Sequence, residues 1–327
     1  MPLSNSIQGA ASNRLLFVAS GGCYGGGVTL STASNTVSAF NTSTGAFDHL
    51  VVDYGVYSPG DSPVAVSEYD SNRLLILVEN ASGRRIDIVN KDGSGLSTYI
   101  SNSTALSAVG RAMAFASDGS ILVSKSSAIE KFNSAKSRIL QGANPYVSAP
   151  AGSCATSTTL ISDVALLSNN KILYTHAAAT PNNRIGLISA TGYSSAADCL
   201  AGTAAPATTA LPTAVVVHPS GKTLVSFGST TSASNFIYSY DVSATANTIT
   251  NATQAFFDSS IVNGPSAMTI DSSTGDVFVA NATSTFNTIE LFRLSGSTLS
   301  RPLSRPLIGP NVYTRCIAGM KVMDYNP

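Results

Sequence analysis

The hydrophobic positions of this chain fall into short segments that recur along its whole length. One segment is repeated letter for letter, because Ser12-Asn13-Arg14-Leu15-Leu16 returns as Ser71-Asn72-Arg73-Leu74-Leu75. Weaker copies of this segment surround four further positions: Leu122, Leu173, Leu224 and Phe278. Self-similarity at intervals of about 50 residues indicates a repeat architecture, in which each unit packs against its neighbours.

Two further segments accompany each copy. A short apolar segment precedes five of the six copies, at residues 63–66, 111–115, 163–167, 213–217 and 266–270, and a sixth version at 319–323 stands unaccompanied near the end of the chain. A segment with period-two alternation follows each copy, at residues 36–40, 85–89, 128–132, 184–188, 236–240 and 288–292. Such alternation is typical of half-buried strands. A fourth, less regular strand completes each unit after a turn such as Ser43-Thr44-Gly45.

Six units of four antiparallel strands predict an all-β fold, a six-bladed β-propeller that spans residues 1–327 as a single domain. The unaccompanied segment at 320–323 would be the innermost strand of the blade that begins at Leu15. Both ends of the chain would then share one sheet and close the ring, which leaves no open strand edge at the seam. A ring of seven blades is the alternative, and it would require one further copy.

The inner pair of strands resembles a known group of propellers. Residues 212–225, and residues 16–19 with 35–45, are similar to the YVTN, NHL and YncE-like propellers. Wider relatives include lactonases and gluconolactonase-type hydrolases, and this resemblance implies a divalent metal held at the ring centre by Glu, Asn and Asp. The inner strands of this chain start at Pro63, Arg111, Asp163, Thr213, Ser266 and Gly319. Only one of these is a carboxylate, which departs from the metal-binding pattern.

Composition narrows the possible partners. Hydrophobic residues make up 43% of the chain and charged residues 11%, with 18 basic and 18 acidic side chains and no formal net charge. Nucleic-acid binding needs clustered Lys and Arg to neutralise phosphates, and no such cluster is present in the sequence. The sequence contains no apolar run of about 18 residues, so it predicts no membrane-spanning helix. We expect a monomer.

The four cysteines, Cys23, Cys154, Cys199 and Cys316, are too widely spaced for a zinc knuckle. Three pairings are possible, and the ring favours Cys23 with Cys316 at the seam and Cys154 with Cys199 within one blade. Four buried free thiols are the alternative. Disulfides form in oxidising compartments. We therefore expect a secreted, periplasmic or cell-surface protein, with an export signal removed ahead of this numbering.

Candidate ligand-binding residues follow from the register of the strands. Polar side chains should converge on the face of the ring where the inner strands start and the second strands end. The candidates are Arg111 and Asp163 at inner-strand starts, and Glu79, Asn80, Lys125, His176 and Asn281 at second-strand ends. No nucleophile stands beside His176 in a catalytic motif, so no catalytic residue is assigned.

Two functions follow from this sequence. The first is a secreted or envelope-exposed binding module that recognises a protein or glycan through its loop-rich rim and needs no cofactor. The second is a metal-assisted hydrolase or lactonase, with a divalent ion such as Ca²⁺ in the central channel.

Overall fold

The computed structural model describes residues 13–21, 34–81, 83–101, 106, 112–141, 143–148, 150, 154, 160–177, 184–204, 210–228, 235–282 and 287–325. These residues form six four-stranded antiparallel sheets arranged as a six-bladed β-propeller. The predicted fold class is confirmed, and the seven-bladed alternative is wrong.

Blade 1 joins the two ends of the chain. It consists of β1 (Asn13–Ser20), β2 (Thr36–Asn41), β3 (Phe47–Asp53) and the last strand, β24 (Gly319–Tyr325), in the order β24-β1-β2-β3. Leu16 lies opposite Val322 in the antiparallel ladder between β1 and β24. The predicted closure of the ring is therefore confirmed.

The other five blades are each built from four consecutive strands. Blade 2 contains β4 (Ser62–Glu68), β5 (Arg73–Asn80), β6 (Gly83–Asn90) and β7 (Ser97–Ile100), and follows a one-turn helix, α1 (Tyr54–Tyr57). Blade 3 contains β8 (Met113–Phe115), β9 (Ile121–Lys125), β10 (Ala128–Phe132) and β11 (Arg138–Ile139). Blade 4 contains β12 (Leu160–Leu166), β13 (Ile172–Ala177), β14 (Arg184–Ile188) and β15 (Cys199–Ala204). Blade 5 contains β16 (Leu211–Val217), β17 (Lys222–Gly228), β18 (Phe236–Ser243) and β19 (Thr248–Phe256). Blade 6 contains β20 (Pro265–Ile270), β21 (Asp276–Ala282), β22 (Asn287–Ser295) and β23 (Thr298–Ser300).

The inner strands, β24, β4, β8, β12, β16 and β20, contact their neighbours in a closed circle around the central channel. The core consists of six clusters of buried hydrophobic side chains, one between each pair of consecutive blades. Each blade therefore buries both faces of its sheet, which explains why the second strands are almost continuously apolar.

Charged groups tie blades 6, 1 and 2 together where their inner strands end. The Arg14 guanidinium lies 2.8 Å from an Asp271 carboxylate oxygen and 2.9 Å from the Asp324 carboxylate. The buried Lys91 ammonium lies 2.7 Å from Glu68 and also donates to the Asp324 backbone carbonyl. These ion pairs link the ends of the inner strands β20, β24 and β4, which belong to blades 6, 1 and 2.

The two faces of the disc differ in their connections. On one, here called the loop face, lie the connections between second and third strands and those from each blade to the next, such as residues 54–61, 257–264 and 301–318. On the opposite, here called the turn face, the strands are joined mostly by tight turns such as 91–96 and 218–221. Within the described residues, no helix is long and apolar enough to cross a membrane.

Candidate functional site

The candidates at the second-strand ends all lie at the loop face, where the register predicted them. Several of their contacts lie within their own blades. Glu79 forms a 2.9 Å ion pair with the buried Arg84, and the Asn80 side chain donates to Asp61 at 2.8 Å. The Lys125 ammonium lies 3.7 Å from Glu130. These contacts brace the hairpins that carry the loop face.

His176 and Asn281 are fully buried at the same level of their blades. His176 lies in the middle strand of its sheet, between β12 and β14. The Asn281 side-chain amide donates to the Ile261 carbonyl and to the Thr288 hydroxyl, and its carbonyl oxygen accepts from the Asn263 N–H at 3.0 Å. Asn281 therefore holds the 257–264 connection against blade 6.

A buried ionic cluster beside Asn80 was not predicted. Arg85 donates to Asp87 at 2.8 Å and to Asp61 at 2.5 Å, and the Tyr54 hydroxyl donates to Asp87 at 3.0 Å. Burial opposes ionisation of Asp61, but hydrogen bonds from Arg85 and Asn80 lower the pKa of this carboxyl below its ordinary value. The cluster fastens α1 to blade 2 and supports the connection at residues 54–61.

The inner strands line the central channel, and their register can be aligned on one buried apolar residue that packs against the preceding blade. This residue is Val66, Met113, Val164, Val215, Met268 or Met320. The residue before it is small in five blades: Ala65, Ala112, Ala214, Ala267 and Gly319. In blade 4 this position is Asp163. Asp163 therefore lies one position beyond Thr213 and Ser266, with which the sequence had aligned it.

Asp163 connects two blades. One of its carboxylate oxygens accepts from the Val164 N–H at 2.8 Å, and the other accepts from the Val215 N–H of blade 5 at 2.7 Å. Burial raises the pKa of Asp163 to about 7, although the two backbone donors and the charge of Lys321 oppose this shift. Its equivalents in the other blades carry no charge.

Lys321 is the second charged side chain in the channel, and the sequence did not single it out. It follows the aligned apolar residue, where the other blades have small residues: Ser67, Ala114, Ala165, Val216 and Thr269. The surrounding inner strands desolvate the ammonium group and lower the pKa of Lys321, while the charges of Glu68 and Asp163 oppose this shift. Asp163 is three blades away around the ring, so this interaction must cross the channel. In the sequence, Lys321 could have been found as the one charged residue at a repeat position where the five other copies are uncharged.

The remaining predicted residues are the four cysteines and Arg111. Cys154 and Cys199 form the predicted disulfide, which attaches the connection before β12 to the start of β15. Cys316 is also disulfide-bonded. Its predicted partner, Cys23, and the candidate Arg111 lie outside the described residues.

A metal site is not assembled by the part of the chain that the structure describes, since it contains no group of three His, Cys, Asp or Glu side chains able to hold an ion. The Ca²⁺ alternative stays a prediction.

Comparison with known proteins supports the fold alone. No protein-family model matches this chain, and no curated protein matches it. A chain in the crystal structure of a nidogen/laminin complex has a TM-score of 0.59 at 12% identity, covering 94% of this chain and 97% of that one. The PQQ-bound aldose sugar dehydrogenase of Streptomyces coelicolor has a TM-score of 0.54 at 10% identity, covering 76% of this chain and 82% of that one. Similar folds thus occur in enzymes and in protein complexes, so this chain belongs by its architecture among the β-propellers and its function must be argued from its own surface.

Proposed function

We propose that this protein is a binding module that takes a protein or glycan ligand on its loop face. The observation that carries the proposal is an asymmetry between the two faces. Large hydrophobic side chains are exposed in the described loop-face connections: Val56 (81%), Tyr57 (62%), Phe257 (52%) and Val312 (58%). The described turn-face connections carry no large hydrophobic side chain exposed to this extent.

The asymmetry matters because the blades themselves are alike. Single exposed apolar residues are ordinary on protein surfaces. Here, however, the four most exposed large hydrophobic side chains among the described residues all lie on the face with the long connections. Aromatic and aliphatic side chains that become buried on binding supply much of the affinity of protein interfaces. The aliphatic members of this set favour a protein over a glycan.

The connections that carry these side chains are held in place by hydrogen bonds and ion pairs. The Asp61, Arg85 and Asp87 cluster holds the connection that carries Val56 and Tyr57, and Asn281 holds the connection that follows Phe257. Preorganised loops lose less conformational entropy when they bind. An oxidising location, supported by the Cys154–Cys199 disulfide, would place such a module outside the cytoplasm.

The test compares matched surface variants. The wild-type protein is screened against a glycan array and against purified exported proteins of its source, and binding of each hit is measured by surface plasmon resonance. We expect Tyr57→Ser with Phe257→Ser to weaken the selected interaction by at least tenfold, since buried aromatic side chains each contribute about 1 to 2 kcal/mol or more.

The control is Leu50→Ser, which removes an exposed hydrophobic side chain (36%) from the outer strand β3. This variant should bind as the wild type does. Equal loss in the control and in the loop-face variant, or no loss in either, would show that the ligand does not bind on the loop face.

A further inference from the structure

The central channel contains two opposite charges at positions where the repeat otherwise has small residues. Asp163 replaces the Ala or Gly of the other five inner strands, and Lys321 replaces a Ser, Thr, Ala or Val. A charge inside a narrow channel loses hydration, so its presence in one blade only is costly unless it interacts with something there.

Neither charge is neutralised by an ion pair among the described residues, whereas the charges close to Lys321 are. Glu68 is paired with Lys91 at 2.7 Å. Arg14 is paired with both Asp271 and Asp324. The Lys321 side chain is exposed to the solvent in the channel. The ammonium group of Lys321 is therefore available to an anion that enters the channel.

Asp163 keeps the capacity to accept further hydrogen bonds. An ionised carboxylate offers about four lone-pair sites, and the N–H groups of Val164 and Val215 occupy two of them. The Asp163 side chain is partly exposed. A hydroxyl or ammonium group in the channel could therefore donate to it.

The two charges are separated along the channel as well as across it. Blades 1 and 4 face each other in a ring of six, and Lys321 lies two residues further along its inner strand than Asp163 does. Two residues of a strand correspond to about 7 Å along the axis. From this arrangement we infer that the channel binds a small carboxylate that carries a hydroxyl or ammonium donor a few bonds away. Lys321 would bind the carboxylate and Asp163 would accept from the donor.

This inference does not depend on the loop-face ligand, because it concerns residues inside the ring. The probes are 4-hydroxybutyrate and butyrate, which differ by one hydroxyl donor. Each is titrated into the protein by calorimetry at pH 8, where the Asp163 carboxyl is ionised, and the NMR signals of the lysine ε-methylene groups are recorded. We expect saturable binding of both, with 4-hydroxybutyrate about tenfold tighter because its hydroxyl donates to an ionised carboxylate.

Two variants separate the roles of the two residues. Lys321→Ser copies Ser67 at the equivalent position and should weaken both probes by at least tenfold. Asp163→Ala copies Ala214 and should leave butyrate binding while lowering 4-hydroxybutyrate to the butyrate level. Lys222→Ser is the control, since it removes one positive charge from the surface pair with Asp241 and should bind as the wild type does.

Absence of saturable binding in the wild type, or unchanged binding in Lys321→Ser, would overturn the proposal. Equal affinity for the two probes would overturn the role given to Asp163. If Lys321→Ser does not fold, Lys321→Thr, which copies Thr269, provides the same measurement.

Discussion

Asp163 illustrates how one residue changes the physical chemistry of a repeat. Its equivalents are Ala or Gly, which let neighbouring inner strands pack directly. The carboxylate instead joins blade 4 to blade 5 through the Val215 N–H. Burial favours its neutral form, and its pKa of about 7 lies well above the usual value near 4.

This residue predicts a dependence of stability on pH. Between about pH 4 and pH 7 the folded state binds a proton at Asp163 that the unfolded state has released, so this contribution to the free energy of unfolding falls as the pH rises. We expect Asp163→Ala to gain stability relative to the wild type between pH 5 and pH 8, by on the order of 1 to 3 kcal/mol. Urea unfolding at both pH values measures this difference.

The matched comparison is Asp198→Ala. Backbone hydrogen bonds from Ser194 and Ser195 lower the pKa of Asp198. The stability that this carboxylate contributes is complete above about pH 4 and is lost only as the pH falls below that value, so the effect of Asp198→Ala should not change between pH 5 and pH 8. Parallel pH profiles of the wild type and Asp163→Ala would contradict the proposed state of Asp163.

Strand register predicts where the candidate binding residues lie along their strands, but not which groups they contact. Strand register placed Glu79, Asn80, Lys125, His176 and Asn281 at the loop-face ends of their strands. It could not show that Asn281 is occupied by three hydrogen bonds or that Glu79 is paired with a buried arginine, because these depend on side chains that meet only after folding.

At the scale of the strand, one buried position of the third strand carries different residue types in different blades. It is a buried carboxylate in blades 2, 3 and 6: Asp87, Glu130 and Glu290. Each of these lies within ion-pair distance of an arginine: Arg85, Arg138 and Arg301 respectively. In blade 4 the same position is Gly186, and the ring of Tyr174 occupies the space that a side chain would need.

Gly186 should therefore be intolerant of substitution. A Cβ atom at this position would overlap with the Tyr174 ring, which is fully buried and whose hydroxyl donates to the Cys154 carbonyl. We expect Gly186→Ala to lower the free energy of unfolding by about 2 to 3 kcal/mol, as overpacking of a core does. Chemical denaturation of the purified variant measures the change.

Two further variants test the cause. The first variant combines Gly186→Ala with Tyr174→Val, which copies Val279 of blade 6. This double variant should lose less stability than the sum of the losses in the two single variants. Gly309→Ala is the control, because no atom lies within 4 Å of the added Cβ. Additive effects of the two blade 4 substitutions would contradict the steric explanation.

Register between blades shows a limit of letter-by-letter comparison. The identical pentapeptides align Leu16 with Leu75, but Leu16 packs between blades 6 and 1, and Leu75 packs between blades 2 and 3. One faces the preceding blade and the other faces the following blade. Alternation in strands has a period of two, so a slip of one residue reverses every side chain.

At the scale of the whole molecule, stability depends on the contact between the two ends of the chain. The β24 strand provides the inner edge of blade 1, and its side chains belong to the clusters on both sides of that blade. Removing it would expose β1 and open the circle of inner strands.

Truncation before Gly319 should therefore abolish the single cooperative unfolding transition, or lower its midpoint by roughly 10 °C or more. Circular dichroism during heating, together with size-exclusion chromatography, measures both outcomes. Removal of residues 326–327 alone is the control and should leave the transition unchanged. A truncated protein that melts like the full chain would show that β24 is dispensable for closure.

The sequence by itself determined the architecture. Six recurring groups of apolar segments predict six packed blades, and the alternation of apolar and polar residues shows locally which side chains are buried. It also identified Cys154 and Cys199 as partners once the ring was assumed. Only the tertiary structure decided which charges meet. Lys321 and Asp163 lie far apart in the chain and share a channel because blades 1 and 4 face each other across a closed ring, a relation that no local pattern encodes.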